Sequence, residues 1–361
     1  MSRTKIGTTE AILIILTVVF SHSILTLPRT LVTNTKSSVL LNIAYITIIS
    51  VLTSLLIYRL IKKFGSFDIV DISEYLGGSV LKNIIGWIFI FHFIVSASML
   101  LRNFCECLAL VYFQMTDVIF IILIFIIGMC ISNNFGFNVT LKSNMLILPV
   151  AIVSIIFIFV ANFNNFDPQK IFPILGNGVY NTFVSGLINL ASFGGIIFLY
   201  FIPPYLKEPD KYKKICIISM VSTGIFLTLC VSVILFIFPA FFNTNEIMPL
   251  YSAARYISFG NFLQRLDSII MLIWITAFLS YLSIACKFSV NIFQKLTKIK
   301  DSKPIINIFG LLILAISLIP KNLAVSTFFE STIYNYITLG IVFALGIGIL
   351  ILANLKKKRI I

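Results

Sequence analysis

The chain has 361 residues, 59% of them hydrophobic and only 11% charged, and a folded core in water cannot shelter that much apolar surface, so a water-soluble globular fold is excluded. The formal net charge of +14 sits in short loops without aromatic interleaving, which removes any need for a nucleic-acid partner. Two histidines, no carboxylate pair within an apolar stretch and no glycine-rich phosphate loop leave no catalytic constellation, so no enzyme, cofactor or metal site is expected.

Ten apolar stretches follow one another near 10–28, 38–58, 84–113, 117–134, 144–161, 181–204, 215–239, 264–287, 304–320 and 332–354. Each approaches the roughly 20 residues that a helix needs to cross the hydrocarbon, where only an intact helix satisfies its own backbone. The pattern predicts an all-α integral membrane protein, one multi-pass domain over 1–361. Basic residues are retained on the cytoplasmic side. With the N-terminus inside, twenty of the 27 Lys and Arg fall in inner segments and six in outer ones, with Arg102 inside a span. Ten crossings with both termini in the cytoplasm follow from that alternation.

The first span has polar and small residues in its middle: Thr17, then Ser21, His22 and Ser23, then Thr26 and Pro28. It is too long for a signal-peptide core and lacks a small-residue cleavage site, so no cleavable leader is expected. Residues 67–76, between spans two and three, form an amphipathic inner stretch. Span three is long enough to tilt strongly and carries His92. Near its outer end Arg102 and Glu106 stand four apart, on one helix face where they can pair. Span six holds Ser192, Phe193, Gly194 and Gly195, followed by Pro203 and Pro204. The segment 248–257 is apolar enough to lie across the outer mouth as a short interfacial helix. Arg265 and Asp267 open span eight and are expected to join Arg102 and Glu106 in a structural polar cluster. The terminal run Lys356 to Arg359 suits anionic headgroups of the lipid bilayer. The six cysteines, at 105, 107, 130, 216, 230 and 286, have neither metal-ligand nor disulfide spacing and are expected to pack as small apolar groups.

Spans one and six occupy corresponding positions if the chain is two five-helix halves, about 1–165 and 166–361, of opposite topology. Paired interruptions there are the mark of a 5+5 inverted repeat whose binding site lies where both helices unwind. Freed backbone groups cannot face lipid and must line a cavity or hold a ligand. The expected binding residues are Ser21, His22, Ser23, Ile24 and Leu25 with Ser192, Phe193, Gly194 and Gly195. His22 would face that cavity, whereas His92 is also compatible with a neutral imidazole bonded to a carbonyl. No acidic residue falls near the middle of any predicted span, so an acid-based proton relay is not expected.

The segment from Pro249 through Arg255, Phe262, Leu263, Arg265, Leu266 and Asp267 to Trp274 resembles the spore-germination permease family, the B subunits of nutrient germinant receptors. Arg102, Phe104 and Glu106 are similar to that family's Arg-x-Phe-x-Glu in span three, and residues 24–29 to its Leu-x-x-Pro stretch. The chain departs from the pattern at Ser21-His22-Ser23, where a glycine is expected. The resemblance implies kinship with amino acid–polyamine–organocation transporters and residence in the inner membrane of the spore. It also implies a complex with an A-type membrane subunit and a C-type lipoprotein. The expected function is a receptor subunit sensing a small-molecule nutrient, an amino acid, with a secondary amino-acid permease as the alternative and a membrane scaffold as a third reading.

Overall fold

The computed structural model describes residues 5–23, 25–238, 248–257 and 266–360, with side chains up to Lys357. Those residues are helical throughout apart from connecting loops and one isolated bridge, in which Ile6 N–H donates to the Tyr205 carbonyl and Lys207 N–H to that of Ile6. In chain order the helices are α1 (Thr8–Ser23), α2 (Leu27–Thr35), α3 (Val39–Ile61), α4 (Ile69–Val111), α5 (Val118–Asn134), α6 (Phe137–Ala161) and α7 (Val179–Phe183). After a 3₁₀ stretch, Ser185–Tyr200, come α8 (Tyr212–Ile237), α9 (Pro249–Arg255), α10 (Leu266–Thr297) and α11 (Lys303–Ser317). The last column is α12 (Leu323–Phe328), α13 (Asn335–Thr338) and α14 (Gly346–Ile360), joined by π-helical turns at Phe329–Tyr334 and Leu339–Leu345.

Among the described residues seven helical stretches are long and apolar enough to cross a membrane, which makes this a multi-pass membrane protein. Three shorter apolar helices, Thr8–Ser23, Val118–Asn134 and Lys303–Ser317, fall on expected spans one, four and nine. By length and composition, therefore, seven stretches qualify where the hydropathy pattern predicts ten. For α1 the shortness has a physical reason. It packs against α6, α8, α10 and the 3₁₀ stretch, so protein rather than lipid surrounds it. Ile14, Ile15 and Phe20 are at most 1% exposed.

Lipid is as apolar as leucine, so helices associate through close backbone approach and polar contacts. Both occur. A Cβ on Gly195 would stand 2.7 Å from the Ile15 carbonyl oxygen, so α1 and the 3₁₀ stretch touch backbone to backbone. Asn42, buried in α3, donates to the Thr182 and Gly186 carbonyls at 2.8 and 3.1 Å and accepts from Asn189 at 2.8 Å. It thereby satisfies carbonyls at the start of a stretch whose α-helical ladder has been given up.

At one end of the bundle, Asp68 caps α4, accepting from the Val70 and Asp71 amides at 3.0 Å each, while Asp71 accepts in return from the Asp68 amide. Lys295, in the last turn of α10, bridges both carboxylates at 2.5 and 2.7 Å. The expected amphipathic stretch is the first part of α4, set off from the span by Gly77 and by Gly78. Gly78 has φ of 68°, a left-handed conformation that glycine adopts without penalty.

Candidate functional site

Two interruptions define the site. The first helix stops at Ser23 and resumes at Leu27. Within the 3₁₀ stretch Phe193 departs from helical geometry, with φ −87° and ψ 22°. Between them lies a cavity of about 60 Å³, space for a few waters or a small polar molecule. Val18 and His22 line it from α1, and Thr26, Leu27 and Thr30 from the break and α2. The 3₁₀ stretch contributes Ser192, Gly194 and Ile197, α4 His92 and Ser96, and α10 Tyr281. One wall is the final column: Glu330, Ser331, Tyr334, Asn335 and Thr338.

The expected site residues divide. His22, Ser192 and Gly194 line the cavity. Ser21 is fully buried, and its hydroxyl has no hydrogen-bond partner among the described residues. Ser23 turns its hydroxyl back onto the Val19 carbonyl at 2.7 Å. Leu25 and Phe193 are buried core residues, and Gly195 meets α1 instead of the cavity. Ile24 and Arg265 lie outside the described residues. Of the expected polar cluster, the described residues bring together Arg102 and Glu106. Arg102 pairs with Glu106 at 2.6 Å and donates to the Lys321 carbonyl at 3.4 Å. Asp267 instead accepts from the Tyr251 hydroxyl at 2.9 Å, and no ion pair joins it to Arg102 among the described residues.

Sequence reasoning missed Glu330. The hydropathy pattern puts it in the loop before span ten and puts no acidic residue near the middle of any predicted span. The helix instead begins at Leu323, capped by Asn322 accepting from the Val325 amide at 3.0 Å, which carries Glu330 well inside the crossing. The asparagine was the available signal. Glu330 Oε1 lies 3.1 Å from His22 Nδ1, and Oε2 accepts from Asn103 Nδ2. This carboxylate brings an acidic group to the cavity, a position that the hydropathy pattern does not give it.

Among the described residues the His92 ring meets a hydroxyl and not the expected carbonyl. The Tyr334 hydroxyl lies 2.9 Å from His92 Nδ1 and 2.8 Å from the His92 carbonyl, with the rings stacked at 5.3 Å. A neutral imidazole serves this geometry, Nδ1–H donating to the hydroxyl oxygen while the hydroxyl donates to the carbonyl. Beside it Ser96 and Tyr281 are hydrogen-bonded at 2.8 Å, and Tyr281 stands edge-on to His22 at 5.9 Å. Tyr334→Phe is expected to lower stability by about 0.5–1 kcal/mol. Thermal unfolding in detergent checks this, and an unchanged midpoint would show that the bond contributes nothing net.

A larger polar vestibule of about 810 Å³, lined by Arg29, Asn34, Glu106 and Asn322, adjoins the cavity. The two share Thr26, Thr30 and Ser331. Those three residues stand where the vestibule and the cavity adjoin.

Residues 5–325 match the family described as spore germination protein. The chain is 23% identical to spore germination protein YndE of Bacillus subtilis (strain 168) over 366 aligned positions, 98% of each chain. It is 24% identical over 216 positions to spore germination protein XB of Bacillus anthracis, covering 59% of this chain and 60% of that one. Among solved structures, a Na⁺-coupled sialic acid symporter in a substrate-bound outward-open state is similar with a TM-score of 0.65, over 94% of this chain and 78% of that one. At 14% identity that likeness speaks for a transporter-like fold alone.

Proposed function

The chain belongs to the spore germination protein family, matched over residues 5–325, and from that premise we propose that it is the membrane subunit of a spore nutrient germinant receptor. It senses a small nutrient, an amino acid, and its role is recognition without catalysis. The observation that carries this reading is the cavity of about 60 Å³ at the junction of two interrupted helices. Backbone amides freed where the first helix breaks suit a carboxylate, and the neighbouring apolar groups shape a side-chain pocket. Occupancy shifts the population of a two-state bundle only if the two states differ in affinity.

In this reading the chain crosses ten times as two inverted five-helix halves, about 1–165 and 166–361, with both termini on the core side of the spore inner membrane. An A-type membrane subunit and a C-type lipoprotein complete the receptor. The relatives' names, spore germination proteins YndE and XB, support membership of such a system. The symporter-like fold favours a second reading, a secondary amino-acid permease. Labelled amino-acid uptake into vesicles separates them, since accumulation marks a permease and binding without accumulation a receptor.

Gly194→Trp tests the site. A Cβ there meets only Thr338 Cγ2, at 3.5 Å, so the indole grows into the cavity. At 100 times Kd, a ligand that binds only the folded protein stabilises it by about 2.7 kcal/mol. That gain is expected to vanish in Gly194→Trp while membrane insertion persists. An undiminished response would remove the cavity as the site.

A further inference from the structure

Glu330 carries the one carboxylate that lines the inner cavity among the described residues, and no lysine or arginine lines it with Glu330. The neighbouring Arg102 guanidinium is engaged with Glu106 and the Lys321 carbonyl. The Glu330 side chain is only 12% exposed. Asn103 orients the carboxylate from behind, through Nδ2 on Oε2. That leaves Oε1, whose partner among the described residues is His22, an imidazole that neutralises the carboxylate only when protonated. A nearly buried carboxylate without a permanent counter-ion is costly in a low-dielectric interior, which favours occupancy of the cavity by a cation.

We propose that Glu330 binds the ammonium group of the ligand in place of His22, so that the site selects primary amines and zwitterionic amino acids over sugars and nucleosides. An alkylammonium is fully charged at neutral pH and brings three N–H donors, where the imidazole brings one to this carboxylate. The inference rests on the cavity being the ligand site and names the group that reads the ligand's cationic end. It has a mechanical consequence. His22 is on α1, one residue before the break, and Glu330 is in the final column, so their contact ties the two together across 308 positions of chain. Ligand exchange at Oε1 replaces that tie, giving the bound and free states different contacts, as a population shift requires.

The test uses the purified full-length protein and thermal unfolding with the twenty amino acids, each beside its deaminated acid and its decarboxylated amine, plus glucose and inosine. At least one amino acid and its amine are expected to stabilise the wild type, and the deaminated acid is not. Glu330→Gln is expected to weaken that binding by ~30-fold or more. Binding lost in Gly194→Trp but unaltered in Glu330→Gln overturns this inference and leaves the cavity standing. Binding that survives both substitutions overturns the cavity itself. A panel in which no amine binds, or in which the deaminated acid binds as well, also overturns the proposal. Should Glu330→Gln fail to fold, Glu330→Asp keeps the charge. It is expected to bind more weakly with the same preference for amine over acid, and loss of that preference overturns the assignment.

Discussion

Lys295→Met is expected to destabilise the protein by about 2–3 kcal/mol at neutral pH, because it strips two largely buried carboxylates of their shared counter-ion. The pH dependence has a definite sign. Burial holds the Asp68 carboxyl above its ordinary range, Lys295 opposes that rise, and Asp71 adds to it. A carboxyl raised in the folded state contributes stability below its ordinary value and loses it as pH rises through the folded value. At neutral pH the ionised Asp68 is therefore a cost that Lys295 offsets. Without the lysine the deficit is largest at neutral and alkaline pH and shrinks on acidification through the raised Asp68 range. Unfolding at about pH 7.5 and about pH 5 checks this, and a deficit of equal size at both would contradict it. Lys295→Arg is expected to retain most of the stability. The pair matters beyond its own end of the bundle, since α4 and α10, which it joins, carry His92, Ser96 and Tyr281 to the cavity.

Gly195→Leu is expected to cost at least about 3 kcal/mol and to reduce the yield of folded monomer. Its first side-chain carbon would press on backbone, 2.7 Å from the Ile15 carbonyl oxygen and 3.0 Å from Ile15 Cγ2, so α1 itself must move. One residue earlier the outcome reverses. Gly194→Ala places its methyl in ordinary contact with Thr338 and is expected to change stability by no more than about 1 kcal/mol. Size-exclusion profiles and thermal midpoints of the two variants decide the matter. A well-folded Gly195→Leu protein would mean that the backbone contact does not hold the crossing together.

These neighbouring glycines illustrate what could be read from the chain. The run Ser192 to Gly195 pointed to an interruption, and Phe193 is where helical geometry lapses. Nothing in the run said which glycine faces the cavity and which faces α1, because that depends on the rotation of one helix against another. Ser21, His22 and Ser23 marked the other interruption, yet only His22 reaches the cavity. Glu330 escaped notice because the apolar average of span ten began beyond it. The Asn322 cap and the π turns that set the column's start and face leave little trace in hydropathy.

Apolar runs, loop charges and paired interruptions were determined by sequence, because each reports how a short segment partitions between lipid and water, a property the segment owns by itself. Only the tertiary structure decided that His22 meets Glu330, that Tyr334 meets His92 and that Asp267 turns to Tyr251. Those pairings join residues from different helices, and their partners are chosen by how close two backbones can come, which no single segment encodes.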